Sequence, residues 1–146
     1  MAQLRSKRMT IVLQLAEQAE QSAAELLQQY RDQLNAAEQQ LQQLLDYQQE
    51  YIEQINSKQQ LSAREMISDR SFIGQLDDAA GAQRQKLASC HRQCDEALAA
   101  WQKAYQKRNN IADLIEKMRL DENALMEKQL QKEIDELSSQ SLLRKS

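Results

Sequence analysis

Residues 9–55 read MTIVLQLAEQAEQSAAELLQQYRDQLNAAEQQLQQLLDYQQEYIEQI. Steps of four and three residues from Met9 visit Leu13, Ala16, Glu20, Ala23, Leu27, Tyr30, Leu34, Ala37, Leu41, Leu44, Gln48, Tyr51 and Ile55, and twelve of these 14 positions are apolar. A second series starts at Ile73 and visits Leu76, Ala80, Gln83, Leu87, Cys90, Cys94, Ala97, Trp101, Ala104, Arg108, Ile111, Ile115, Met118, Glu122 and Leu125, with 13 of 16 apolar. An apolar residue every 3.5 positions draws a narrow seam on a long helix, and only a second helix covers such a seam. The pattern predicts an all-α chain and excludes most enzyme architectures before any motif is considered.

Composition points the same way. The mean hydropathy is −0.79, yet 41% of the 146 residues are apolar and only 4% aromatic. Long helices with a thin seam and a wide solvated face satisfy both figures, whereas a thick globular core does not. There is no proline and there are two glycines, which leaves little material for turns or strands. The glutamines between Gln14 and Gln60 are punctuated by leucines at helical spacing and read as solvated helix surface. A net charge of −3 argues against general nucleic-acid binding. Basic clusters occur locally at Arg5, Lys7 and Arg8 and at Arg144 and Lys145. They serve either solubility or contact with an acidic partner. The apolar run from Met9 to Leu13 is too short for a signal peptide, and no apolar stretch is long enough to span a membrane. A cytosolic chain with reduced Cys90 and Cys94 is expected.

The seam fails after Ile55, and a series of serines, Ser57, Ser62, Ser68 and Ser71, follows with Asp69. Ser and Asp bond their own backbone and favour caps and turns, so Asp69 or Ser71 is the expected cap of a second helix. The expected organisation is a single α-helical hairpin over residues 1–146. Helix one occupies about 4–58, the connection about 59–69 and helix two about 70–138. A short connection makes the helices antiparallel neighbours, giving a long two-helix antiparallel coiled-coil hairpin. Two registers fit the seams. One sets Gln48 opposite Gln83, pairing two polar residues in one layer, and is preferred; the other sets small Ala23 opposite large Trp101. Either leaves the end of helix two overhanging the N-terminus, from a point between Met118 and Glu127. The apolar positions slip there to Met126, Leu130, Ile134 and Leu137, a stripe without an intramolecular partner.

Little in the chain could carry covalent chemistry. His91 is the only histidine. Cys90 and Cys94 fall on the seam as small hydrophobes, and two thiols with one turned-away imidazole do not make a metal shell. Gly74 and Gly81 sit seven apart inside a helix and form no phosphate loop; they supply flexibility or room for a close backbone. No catalytic residue, cofactor site or metal site is expected. Glu20 and Arg108 are charged residues at seam positions in neighbouring layers. Either they form a polar pair that locks the register, or each snorkels to water.

A stripe near the turn is sharper. Gln40, Leu44, Tyr47 and Tyr51 are spaced i, i+4, i+7, i+11, and Phe72, Leu76, Ala79 and Gln83 repeat that spacing on the second helix. Gln40, Tyr47, Phe72 and Ala79 flank the seam, and the two flanks share one side of an antiparallel hairpin. This stripe is either a widened core face or a helix-face docking site.

The stretch Leu44-Leu-Asp-Tyr-Gln-Gln-Glu-Tyr51, then Phe72-Ile73 with Leu76, then Ala97-Leu-Ala-Ala-Trp101, resembles the FliJ family of flagellar export proteins. The opening Met1-Ala2-Gln3 and the length agree. The resemblance implies a fold similar to the coiled coil of the rotary ATP synthase gamma subunit. It also implies a non-enzymatic component of the flagellar type III export apparatus. Such a component binds the hexameric export ATPase FliI, promotes its assembly and activity, couples it to the export-gate protein FlhA, and handles export chaperones. It implies gate docking through Gln40, Leu44, Tyr47, Tyr51, Phe72, Leu76, Ala79 and Gln83, although Gln83 departs from the histidine expected in the family. It implies ATPase contact where the termini meet, at Arg5, Lys7, Arg8 and the stripe Met126, Leu130, Ile134 and Leu137. The expected location is cytoplasmic, peripheral on the inner face of the membrane at the flagellar base, with membrane association only through partners and no nucleic acid. Two other readings stand beside this one: a holdase-type escort of export substrates or their chaperones, and a purely structural coiled-coil dimer.

Overall fold

The computed structural model describes residues 4–145, with the backbone alone for Lys145; the opening Met1-Ala2-Gln3 and the Lys145 side chain lie outside the described residues. Among the described residues the chain is all-α and forms a two-helix hairpin, α1 over Arg5–Ser57 and α2 over Ala63–Lys145.

The connection is shorter than expected and α2 begins at Ala63 rather than at 70. The cause is a cap at Ser62. Its hydroxyl accepts a hydrogen bond from the Glu65 amide at 3.1 Å, and its carbonyl accepts from the Met66 amide at 3.0 Å. Ser62-Ala63-Arg64-Glu65 is the Ser-x-x-Glu signature of a helix start, and Glu65 places a carboxylate in the first turn, where the helix dipole favours it. Asp69 and Ser71 are therefore inside α2 and cap nothing. At the other end α2 continues past 138 to Lys145. The serines there compete for backbone bonds, but neither glycine nor proline is present to stop the helix.

Packing falls into two units, Met1–Ser22 with Gln102–Ser146, and Ala23–Trp101. In the second unit the seam buries Leu27, Ala37, Leu76, Ala80, Cys90, Cys94 and Ala97. In the first it buries Ala16 and Ile115. Small side chains dominate, as suits a seam one layer deep.

The register within Ala23–Trp101 differs from the preferred expectation. Gln83 does not face Gln48. Its side-chain amide donates to the Ala37 carbonyl at 3.0 Å and to Gln40 Oε1 at 3.1 Å, while Gln48 donates to Asp77. Gln83 thus sits one heptad away, which is the register that places Trp101 by Ala23. Trp101 lines a cavity with Ala24 and Leu27. Two physical reasons favour this arrangement. The indole needs small residues opposite it, and Gln83 satisfies its amide on a backbone carbonyl without requiring Gln48.

An added Cβ on Gly74 or Gly81 meets nothing within 4 Å, and neither glycine has positive φ. Neither accommodates a close backbone of this chain. Gly74→Ala and Gly81→Ala are therefore each expected to stabilise the protein by roughly 0.5–1 kcal/mol through lower unfolded-chain entropy and better helix propensity. Chemical denaturation measures this, and a destabilised Gly→Ala variant would reveal a contact at that position.

Candidate functional site

Tyr47, Tyr51 and Phe72 form one aromatic cluster within Ala23–Trp101. The Phe72 ring lies 4.6 Å from Tyr51, tilted at 59°, and 6.2 Å from Tyr47, edge-on at 82°. Such separations and angles suit the ring quadrupoles. Tyr51 is fixed further, its hydroxyl donating to Asp69 Oδ1 at 2.7 Å. That bond, then desolvation, then the nearby Asp69 charge, raise the Tyr51 phenol above its ordinary value. Lys58 Nζ lies 3.8 Å from the other Asp69 oxygen. Asp69 is 8% exposed, and its Oδ2 lacks a hydrogen-bond partner, so Lys58 balances its charge across a gap.

The remaining residues of the expected gate face divide by exposure. Tyr47 is 50% exposed, and Gln40 and Ala79 are exposed as well. Leu44, Tyr51, Phe72 and Gln83 are half-buried. Leu76 is part of the core, so it supports the face without presenting a surface to a partner. Gln40 and Gln83 meet through their amides. The structure therefore yields an exposed aromatic edge at Tyr47, backed by Phe72 and Tyr51, with an amide pair along the same stripe.

Asp69 was missed as a member of this site because serine and aspartate in a break suggest a cap. Its signal was present: it lies seven residues before Leu76 and so occupies the same seam position.

The second group lies in the unit of Met1–Ser22 and Gln102–Ser146. Here α1 begins without an acidic residue in its first turn, and α2 supplies one. Glu122 accepts from the Ser6 hydroxyl at 2.6 Å and from the Ser6 amide at 3.1 Å. Four amides at a helix start have no partner within the helix, and Ser6 contributes one of them. The carboxylate satisfies that amide at the positive end of the dipole. The Ser6 hydroxyl, then the Ser6 amide, lower the Glu122 carboxyl below its ordinary value, with the Arg5 amide and Arg119 assisting against desolvation. Glu122 read as a polar break in the seam; its capping role depends on Ser6 being opposite, which spacing alone does not reveal.

Glu122 is also the last packed residue of α2. From 123 to 144 every residue is exposed. Met126, Leu130, Ile134 and Leu137 are 59%, 58%, 47% and 65% exposed on one face of this overhang. Arg5, Lys7 and Arg8 are exposed in the same unit. At 100° per residue Arg5 and Arg8 share a face of α1, while Lys7 is turned about 200° from Arg5.

Glu20 and Arg108 meet. Arg108 Nε lies 2.5 Å from Glu20 Oε2, off the axis of a hydrogen bond, and the guanidinium lies 5.3 Å from the Tyr105 ring centroid. If the pair locks the register, Glu20→Leu and Arg108→Leu should be non-additive. Removing either charge alone strands the other partly buried, so each single variant should be less stable than the double. Additivity within about 0.3 kcal/mol in urea denaturation of the four proteins would mean independent charges.

Cys90 and Cys94 are buried free thiols, and burial, then the neighbouring Cys90, raises the Cys94 thiol above its ordinary value, which keeps it protonated and inert. His91 lies 3.9 Å from Glu38. Among the described residues no cluster of three or more His, Cys, Asp or Glu is placed to hold a metal.

A family model described as Flagellar FliJ protein matches residues 6–146. No curated protein and no solved structure matches the chain.

Proposed function

The chain belongs to the flagellar FliJ family and is a component of the flagellar type III export apparatus, and from that premise we propose that it binds the ATPase FliI, promotes FliI assembly and activity, and couples FliI to FlhA. The supporting observation is the overhang of α2. Met126, Leu130, Ile134 and Leu137 remain exposed on a helix that continues past its last packed residue. Apolar side chains in a row on a water-facing helix lower their free energy by docking, and Arg5, Lys7 and Arg8 in the same unit add a cationic contribution to that contact. The Tyr47 face, with Gln40, Leu44, Tyr51, Phe72, Leu76, Ala79 and Gln83, is the proposed FlhA contact. Among the described residues no helix is long and apolar enough to cross a membrane. In this reading the chain is cytoplasmic and reaches the membrane at the flagellar base through its partners.

The test is a titration of purified FliI with the full chain, following ATP turnover and hexamer formation. Both should rise to saturation. An escort of export chaperones would bind those chaperones with FliI turnover unchanged, and a structural dimer would show concentration-dependent self-association without binding FliI.

A further inference from the structure

Neither proposed contact uses a groove between the two helices in the unit of Met1–Ser22 and Gln102–Ser146. Val12, Leu15 and Ala19 of α1 line it with Lys107 and Ile111 of α2, over a floor of Ala16 and Ala104. It continues along α2 past Lys103, Asn110 and Leu114. The alanines make the floor low, and the longer residues stand at its sides. Val12 and Leu15 in the groove are 39% and 61% exposed, and Leu114 beside it on α2 is 43% exposed, so apolar surface is left open to water there.

Three cations line this face. Arg8 precedes Val12 by four residues and Leu15 by seven, so it shares their side of α1. Lys103 and Lys107 flank the α2 side. Among the described residues no ion pair holds any of these three cations. Of the carboxylates along that side of α2, Asp121 lies level with Arg8, as the Ser6–Glu122 contact places it, while Lys103 and Lys107 stand at the opposite end of the groove. A cationic rim over an apolar floor departs from a chain whose net charge is −3.

We propose that this groove docks an acidic amphipathic helix of a partner protein. The apolar stripe of that helix, at i, i+4 and i+7, would lie on Val12, Leu15, Ile111 and Leu114, with Glu or Asp on its flanks above Arg8, Lys103 and Lys107. With Glu20 level with Arg108, the stretch from Arg8 to Lys103 runs about 25 Å along the helices, so a segment of roughly 17 residues covers it. The chain's own overhang does not reach it, because α2 runs unbroken through Ile111 and Leu137. The overhang stripe also points about 150° away from the groove around α2 at 3.6 residues per turn. A concave floor with three cations suits a single helix better than a flat lipid surface. The proposal shares Arg8 with the proposed FliI contact but needs neither the overhang nor Tyr47, and Lys103 and Lys107 belong to it alone.

The test uses the full chain, isotope-labelled for NMR, and a synthetic 18-residue peptide with Leu at i, i+4, i+7 and i+11 and Glu on both flanks. A scrambled peptide of the same composition and phosphatidylglycerol vesicles are the comparisons. Resonance shifts should concentrate at Val12, Leu15, Ile111 and Leu114, and binding should weaken with added salt. Lys103→Glu with Lys107→Glu should weaken it at least about tenfold with helicity unchanged, since both residues are on the surface. Any of four results would overturn the proposal: equal binding of the scrambled peptide, shifts centred on Met126–Leu137 or on Tyr47 and Phe72, stronger binding to the vesicles, or a self-associated dimer that covers the groove without peptide.

Discussion

A chain ending at Asn123 should fail to stimulate FliI turnover while both packing units stay folded. The cut removes Met126, Leu130, Ile134 and Leu137, each about half exposed or more, so little folding stability depends on them. It keeps Glu122, whose carboxylate holds the Ser6 amide and hydroxyl. A cut at Met118 would lose that cap and would confuse fraying of α1 with loss of a binding surface. Apolar anchors at the centre of an interface commonly contribute about 2 kcal/mol each on truncation, and about 1.4 kcal/mol is tenfold in affinity. Loss of even two anchors should therefore weaken FliI binding several hundredfold. Far-ultraviolet circular dichroism should show a loss of helix limited to the deleted residues. A truncated chain that stimulates FliI as well as the full chain would exclude the overhang as the contact.

Tyr47→Ala should weaken binding to FlhA by about 2 kcal/mol, roughly thirtyfold, at little cost in stability. Tyr47 is half exposed and touches Phe72 edge-on, a contact worth about 0.5–1.5 kcal/mol where it is fully formed. Phe72→Ala removes the backing of both tyrosines and should cost stability as well as affinity. Tyr51→Phe separates the two effects. It deletes the hydrogen bond to Asp69, costing about 1 kcal/mol of folding, and leaves the exposed edge of Tyr47 in place. Calorimetric titration of FlhA with each variant, alongside thermal unfolding, distinguishes a docking face from a widened core. If Tyr47→Ala binds FlhA normally, the face is only packing.

The hairpin was legible because two seams of period 3.5 flank one break, and periodicity is a property of the sequence alone. The boundaries were less legible because competing signals crowd residues 57–71. Ser62 and Glu65 carry the Ser-x-x-Glu signature, and the Ser62 hydroxyl takes the Glu65 amide, yet Asp69 and Ser71 carry the same residue types without the partner three positions on. The register was less legible because side-chain patterning sets a polar residue in a seam opposite another polar residue. Gln83 instead bonds the Ala37 carbonyl, and a backbone acceptor leaves no trace in side-chain patterning. For the same reason the Ser6–Glu122 cap is invisible until the helices are aligned. The exposed overhang was readable because its stripe leaves the seam's phase at Met126, while the basic groove depends on which flanks of α1 and α2 face the same side.

In the proposed function one chain carries two separable docking surfaces and bridges FliI to FlhA. The most direct test is recruitment of FliI to immobilised FlhA. Full-length chain should recruit FliI. The chain ending at Asn123 should bind FlhA and recruit none, and Tyr47→Ala should bind FliI in solution but no longer hold it on FlhA. Recruitment undiminished by either change, or competition between FliI and FlhA for the full chain, would contradict the account.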